Sequence, residues 1–309
     1  MNKVIVIAGP TASGKTGLAV ELALKVGGEV VSADSMQIYR KMNIGTAKPT
    51  MEERRGIPHH LLDIVDPDEE FSVAQFKDAA ITCIEEIIGR GKIPIVAGGT
   101  GLYINTLVYN ITFTDTISDW DYREQLSKIA SEQGAIVLHE MLEKVDPKSA
   151  VAIHPNNVKR VIRALEVYKT TGKPISEHQE ESRKIPPPYN YQIFGLEVER
   201  DTLYARIDKR VDKMMDTGLY EEVDALIKSG YSSDLVSLQG IGYKEIIAAI
   251  KGDYTLQTAV ENIKLGTRHL AKRQMTWFNK TNGLKWMKTS KMDIWAMLKI
   301  LADALNNEG

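Results

Sequence analysis

Lys15 and Thr16 close an eight-residue run, Gly9-Pro10-Thr11-Ala12-Ser13-Gly14-Lys15-Thr16, with the spacing GxxxxGK[ST]. That spacing is chemistry for phosphate. The glycines let a tight loop turn its backbone N–H groups inward, the lysine adds a point charge, and the threonine hydroxyl suits a magnesium ion. The pattern has force only between a strand and a helix. Here Val4-Ile5-Val6-Ile7-Ala8 precedes it and an apolar-periodic stretch over 14–26 follows. The loop is therefore expected to hold a di- or triphosphate at a helix N-terminus.

Two more strand ends carry polar groups. Asp34 follows a short predicted strand, 29–32, in the run SADSMQIY (32–39). In a doubly wound sheet the ligand crevice lies outside the carboxyl ends of the strands. A carboxylate there acts as a general base, holds magnesium, or caps whatever helix follows; the residues leave all three open. A third predicted strand, 93–97, ends in Gly98-Gly99-Thr100. P-loop ATPases that hydrolyse ATP often close this strand with an acid, so Gly-Gly-Thr argues against motor-type hydrolysis. Thr100 either donates to a leaving oxygen or caps a tight turn.

These groups need a scaffold, and the chain has one. The 309 residues suggest roughly two domains. Over residues 1–115 strand-like and helix-like segments alternate, with Ser72 capping a long helix to about Gly89. Such alternation predicts a parallel sheet with helices on both faces. From 116 to 189 the segments near 119–132, 134–145 and 156–171 are helix-like, punctuated by Pro147, Pro155 and Pro186-Pro187-Pro188. Strand character returns at 191–198, helices run to 280, and a last short strand is expected near 284–287. The expected architecture is α/β: a P-loop-containing parallel sheet core (1–115 plus 190–309) flanked by helices, with an all-helical insertion (116–189).

Composition narrows the class. With 43% hydrophobic and 26% charged residues the chain builds a globular core, and no apolar run reaches the ~20 residues of a membrane span. The single cysteine, Cys83, excludes an internal disulfide and fits a reducing cytoplasm. His59-His60 have no Cys or acid at metal-ligand spacing, so no zinc site is read. The net charge of -2 points to no polyanion, so local charge decides. Lys159, Arg160 and Arg163 share one predicted helix. Residues 264–291 hold Lys264, Arg268, Lys272, Arg273, Lys280, Lys285, Lys288 and Lys291, with no Asp or Glu, and interleave Trp277, Phe278 and Trp286. Such a stretch either follows a phosphate backbone with stacking surfaces or is a solvated face.

Taken in order, the runs GPTASGKT (9–16), SADSMQIY (32–39), NIGTAKPT (43–50), PHHLLDI (58–64), GGTGLY (98–103), HPNNVKRVIRALEVY (154–168), QGIGYKE (239–245) and RHLAKRQMTWF (268–278) resemble the tRNA dimethylallyltransferases of bacterial type. The resemblance spans about residues 3 to 290. It implies transfer of a dimethylallyl group from dimethylallyl diphosphate to the exocyclic amine of the adenosine 3′ of the anticodon, with release of diphosphate. It further implies that Gly9, Pro10, Thr11, Ala12, Ser13, Gly14, Lys15 and Thr16 hold the diphosphate, with Mg2+ on Thr16. Asp34 then accepts the amine proton, Thr100 bonds the bridging oxygen, and Arg123 acts through diphosphate. The family's tRNA-contacting segments match Asp34, Ser35, Met36 and Gln37; Lys159, Arg160, Val161, Ile162 and Arg163; and Gln239, Gly240, Ile241, Gly242, Tyr243 and Lys244. The helical insertion would grip the anticodon stem-loop, and the target base would be flipped into a channel to meet the diphosphate. A monomer in the cytoplasm is expected.

Two other readings stand beside this one. A small-molecule P-loop kinase of the shikimate-kinase type would use Asp34 to position a hydroxyl and ATP as donor. It has no use for the basic, aromatic C-terminal region. A non-enzymatic, RNA-binding NTP sensor leaves Asp34 and Thr100 without a task.

Overall fold

The computed structural model describes residues 1–112, 119–182 and 184–306. The chain begins with the strand β1 (Lys3–Ala8), followed by α1 (Lys15–Val26), β2 (Gly28–Ser32), α2 (Met51–Arg54), β3 (His59–His60), α3 (Val73–Gly89), β4 (Ile93–Gly98) and α4 (Gly101–Val108). A helical run comes next: α5 (Trp120–Gln133), α6 (Ala135–Val145), α7 (Pro147–Ala152), α8 (Val158–Thr171) and α9 (Ile175–Ser182). The chain then forms β5 (Asn190–Glu197), α10 (Arg200–Asp216), α11 (Leu219–Lys228), α12 (Tyr243–Lys251), α13 (Leu256–Phe278), β6 (Lys285–Lys288) and α14 (Ile294–Asn306). Two compact units result, Met1–Leu107 with Pro188–Gly309, and Val108–Pro187. The boundary expected at 115/116 lies outside the described residues.

In the first unit, six strands among the described residues make one sheet in the order β3-β2-β4-β1-β5-β6, and each pair is parallel. β1 is central and buried from Val4 to Ala8, which is why it reads as an unbroken apolar run rather than an alternating one. Ile5, Ile7, Leu22, Ile95 and Phe194 pack one core with Leu298 and Leu301 of α14. Each such aliphatic contributes about 1.5–3 kcal/mol by leaving water. A separate core joins Ile38 and Met42 to Leu219, Val223, Tyr243 and Ile246. The predicted cap is present: Ser72 and Gln75 form a reciprocal capping box at the start of α3. β3 escaped sequence reading because two residues carry no periodicity.

Parallel strands bring three carboxyl ends to one edge: β1 ends at the P-loop, β2 just before Asp34, and β4 at Gly98-Gly99. Gly98 fits only as glycine. A Cβ there would sit 2.1 Å from the Ala33 carbonyl oxygen, so the β2 and β4 ends meet as bare backbone.

The second unit is all helical among its described residues. Leu126 of α5, Leu138 and Leu142 of α6, and Val161 and Leu165 of α8 form its core. Glu166, fully buried on α8, ties it together. Its carboxylate accepts from Arg123 Nε (2.8 Å) and Nη2 (3.0 Å), from Arg163 Nη1 (2.6 Å) and from the Asp119 N–H (2.9 Å). These donors hold its carboxyl below the usual range even though burial pushes it up. Among the described residues no helix is long and apolar enough to cross a membrane.

Candidate active site

The P-loop takes its shape from Gly14, whose φ of 95° is left-handed, and from Ala12 at φ 60°. No side chain caps α1 and no acid occupies its first turn, so its leading N–H groups and dipole face outward for an anion. The loop forms one wall of a cavity of about 540 Å³. Thr11 to Gly17 line it, with Asp34 and Gln37 after β2, Ala97 to Gly99 from β4, and Asn43, Ile44 and Thr46 to Thr50 from the loop before α2. Gly9 and Pro10 stand behind it. A Cβ at Gly9 would meet the Leu196 backbone at 3.1 Å, and the Pro10 carbonyl accepts from Lys15 Nζ at 2.6 Å.

Electrostatically the cavity is cationic, lined by Lys15, Lys48, Arg210 and Lys213 against Asp34 and Glu53. Burial pushes the Lys15 amine down to about 7, against the pull of Asp34, and Arg210 pushes it further. Burial likewise raises the Asp34 carboxyl, which Lys15 and the Met36 N–H partly offset. Both side chains keep some accessible surface because they border the cavity, yet protein surrounds them closely. The Ser13 hydroxyl is buried with no hydrogen-bond partner. An orphaned hydroxyl in a cavity that Lys15 and Arg210 also line marks a site built for a ligand with acceptor oxygens.

Asp34 caps no helix. Its Oδ1 accepts the Met36 N–H at 2.9 Å, closing a local turn that aims the carboxylate at the cavity. Thr100 stands just behind Gly98-Gly99 and is not part of the cavity wall. Its Oγ1 accepts the Ser35 N–H at 2.9 Å and donates to Ser35 Oγ at 3.2 Å. To serve a ligand oxygen it must exchange that second bond.

Sequence reading missed the opposite wall. Arg210, Lys213, Met214 and Thr217 line the cavity from α10 at i, i+3, i+4 and i+7, one stripe of a helix. Arg210 is half-buried, and its Nη1 lies 3.4 Å from Thr11 Oγ1. The stripe spacing was the available signal, a basic, polar face where a plain helix would pack apolar residues. Gln274 lies within the run RHLAKRQMTWF (268–278). It accepts the Thr11 N–H at 2.8 Å and donates to the Gly99 carbonyl at 2.9 Å, stapling the P-loop to the end of β4.

A model of the IPP transferase family matches residues 37–281. The chain belongs to that family. The match excludes the P-loop, so it stands independently of that common motif. A tRNA dimethylallyltransferase of Acetivibrio thermocellus is 56% identical over 293 residues, covering 95% of this chain and 94% of that one. One of Lachnoclostridium phytofermentans is 50% identical over 303 residues, covering 98% and 96%. Among solved structures, the full-length tRNA isopentenylpyrophosphate transferase of Bacillus halodurans matches with TM-score 0.74 and 45% identity over 99% of this chain and 97% of that one. A eukaryotic dimethylallyltransferase acting on tRNA matches with TM-score 0.83 and 33% identity over 100% and 81%. These relatives carry the IPP transferase reading over the small-molecule kinase.

The segments carried over from the IPP transferases divide by burial. Lys159 and Arg160 are exposed on α8, and Arg163 is half-buried against Glu166. Val161 and Ile162, at 0% and 7% exposure, turn into the helical core, so their side chains cannot touch RNA. Tyr243 is likewise fully buried, its ring against Gly45 and its hydroxyl bonded to Glu222 at 2.7 Å. Met36 packs against Gly240, leaving Ser35, Gln239, Ile241 and Lys244 as the accessible members of their segments, while Gln37 faces the cavity. The basic run 264–291 is partly neutralised. Arg268 forks onto Asp208, Lys264 Nζ lies 2.8 Å from Asp212, and Lys288 3.8 Å from Glu197. Its aromatics pack rather than stack on a ligand: Phe278 is buried, Trp277 covers Gly101 and Trp286 covers Gly195.

Proposed function

We infer that this chain transfers a dimethylallyl group onto tRNA. The observation that carries the reading is the cavity in which the half-buried Asp34 carboxylate faces Lys15, Arg210 and an orphaned Ser13 hydroxyl at the mouth of the P-loop. The P-loop, Lys15 and Arg210 hold the diphosphate of dimethylallyl diphosphate. The exocyclic amine of the adenosine 3′ of the anticodon attacks the first alkyl carbon, the carbon–oxygen bond breaks, and diphosphate leaves. Asp34 takes the amine proton. Its raised pKa makes it a better base than a solvated carboxylate. Lys15 and Arg210 offset the charge that grows on the departing oxygens.

A magnesium ion fits this wall. Thr16 is exposed on it, and Glu53 adds a hard oxygen. Mg2+ needs only one or two protein oxygens beside phosphates and water. When bound it would neutralise leaving-group charge. Thr100 adds to the bridging oxygen, and Lys159, Arg160 and Arg163 to the anticodon stem; Arg123, expected to act through diphosphate, instead spends its guanidinium on Glu166 within the helical unit. The enzyme acts as a monomer in the cytoplasm.

The test is to incubate the protein with dimethylallyl diphosphate labelled in the alkyl group, ATP labelled in the γ-phosphate, and unmodified tRNA. Alkyl label in tRNA with release of diphosphate is expected. Phosphate label on any acceptor, with none of the alkyl label in RNA, overturns the reading.

A further inference from the structure

The loop from Asn43 to Thr50 forms the cavity wall, yet it has almost no regular structure of its own. A single side chain holds its leading edge. Glu222, on α11, accepts the Asn43 and Ile44 N–H groups on Oε2, each at 2.8 Å, and the Gly45 N–H on Oε1 at 3.1 Å. The Tyr243 hydroxyl donates to the same Oε1 at 2.7 Å. Three consecutive backbone donors and a phenol on one carboxylate exceed what folding a surface loop needs, since water satisfies exposed N–H groups at no cost. The Tyr243 ring fixes the loop's height. A Cβ on Gly45 would lie 2.5 Å from that ring, so only glycine lets the loop sit so low.

The loop brings Ile44, Ala47 and Pro49 to the cavity, and Met214 adds a fourth apolar group there. The P-loop, Lys15 and Arg210 serve an anion. The apolar groups serve something else. We propose that Glu222 is a positioning residue, latching the loop over Asn43–Gly45 so that its apolar side chains form the seat for the five-carbon chain of the alkyl donor. This rests on the reading of the donor as dimethylallyl diphosphate. It makes Glu222 and Tyr243 determinants of alkyl binding that never touch the substrate.

The consequence is a split between the two halves of the donor. Glu222→Ala removes four hydrogen bonds, three of them charge-assisted and to backbone. Gly45→Ala lifts the loop against the Tyr243 ring while leaving Glu222 in place, and so perturbs the seat by a different route. Glu222→Gln keeps the shape and one acceptor oxygen, and Tyr243→Phe removes one bond of four; both should fall between wild type and Glu222→Ala. The experiment measures dissociation constants for inorganic diphosphate and for the unreactive thiolodiphosphate analogue of the donor, alongside the melting temperature of each variant. The analogue should bind about tenfold more weakly to Glu222→Ala and to Gly45→Ala, the size expected from losing one net charge-assisted bond, while diphosphate stays within about twofold. Equal losses for both ligands would make Glu222 a general support of the fold, and unchanged affinities would free the loop from it; either result overturns the proposal. Wild-type protein that binds neither ligand would instead remove the reading of the donor, and the proposal with it.

Discussion

Lys15 is the residue whose titration most directly tests the cavity. Its amine is held near 7 by burial, so the free protein carries it fully charged only below that pH. Diphosphate favours the charged form. An ammonium 4 Å from one anionic charge gains about 4 kcal/mol at an effective dielectric of ~20, and 1.36 kcal/mol moves a pKa by about one unit. In the complex the amine therefore titrates above pH ~9. Between pH 7 and 9 binding must take up one proton, and Lys15's share of the affinity falls about tenfold per pH unit. The assay is calorimetric titration of inorganic diphosphate into wild type and Lys15→Met from pH 6 to 9, in buffers of differing ionisation enthalpy. Taking the ratio of the two proteins cancels the ligand's own ionisation. The wild-type advantage should be full at pH 6, shrink with a slope near one above pH 7, and carry an uptake of one proton there. A ratio constant from pH 6 to 9 would give Lys15 an ordinary, solvated amine and refute the effect of its burial. Stability supplies a second readout with the opposite preference. The unfolded chain keeps the Lys15 proton up to its ordinary value of 10.5 while the folded one loses it near 7, so in that window unfolding takes up a proton and Lys15's contribution to stability rises with pH. Lys15→Met should accordingly melt at a higher temperature than ligand-free wild type at neutral pH.

Asp34→Asn should leave tRNA affinity intact and lower single-turnover alkyl transfer by about two to four orders of magnitude; near wild-type turnover would take the proton from some other group. Replacing Lys159 and Arg160 by Ala should reduce the salt slope of anticodon stem-loop binding by about 1–2 units, with Arg163→Ala adding less because Glu166 already engages it. Filter binding across a salt series reads this, and parallel lines of equal height would make the α8 surface an ordinary solvated face. Gly98→Ala should cost stability at the upper end of the ~1–3 kcal/mol typical of overpacking, because the contact it makes is with the rigid Ala33 backbone. A chemical denaturation midpoint equal to wild type would show that the two strand ends can part.

Legibility followed how local each feature's physics is. The P-loop is legible because loop, cation and helix N-terminus are contiguous, so one run of residues fixes phosphate geometry before any tertiary contact forms. The central strands are legible because burial on both faces writes an unbroken apolar run into β1 and β4. Asp34 was placed by topology alone: parallel pairing of β2 beside β4 and β4 beside β1 puts its strand end next to the P-loop. Arg210 was not legible in the same way. Its task comes from the placement of α10 across the cavity, which no local pattern encodes, and only its stripe of cavity-facing neighbours hinted at it. Glu222 left no hint, since its partners are backbone N–H groups that every residue possesses.

Reading segments rather than side chains produced the errors. Carrying the runs 159–163 and 239–244 as units assigned RNA contact to Val161, Ile162 and Tyr243, although a helix that presents Lys159 and Arg160 outward must turn the next two residues inward. The basic run 264–291 stays ambiguous in the sequence for a related reason. A charge is a free charge only if no partner reaches it, and the partners of Lys264 and Arg268 sit on α10, at Asp212 and Asp208, far away in sequence. Those two pairs also explain why α10 stands where it does. By clamping the exposed flank of α10 to α13, they hold the other flank, with Arg210 and Met214, against the cavity. Gln274, on the same α13, reaches the P-loop. One long helix thus sets both the anion-holding wall and the loop it faces. The charges that look like a nucleic-acid footprint in the sequence are, at these two positions, paired with α10 on the flank away from the cavity.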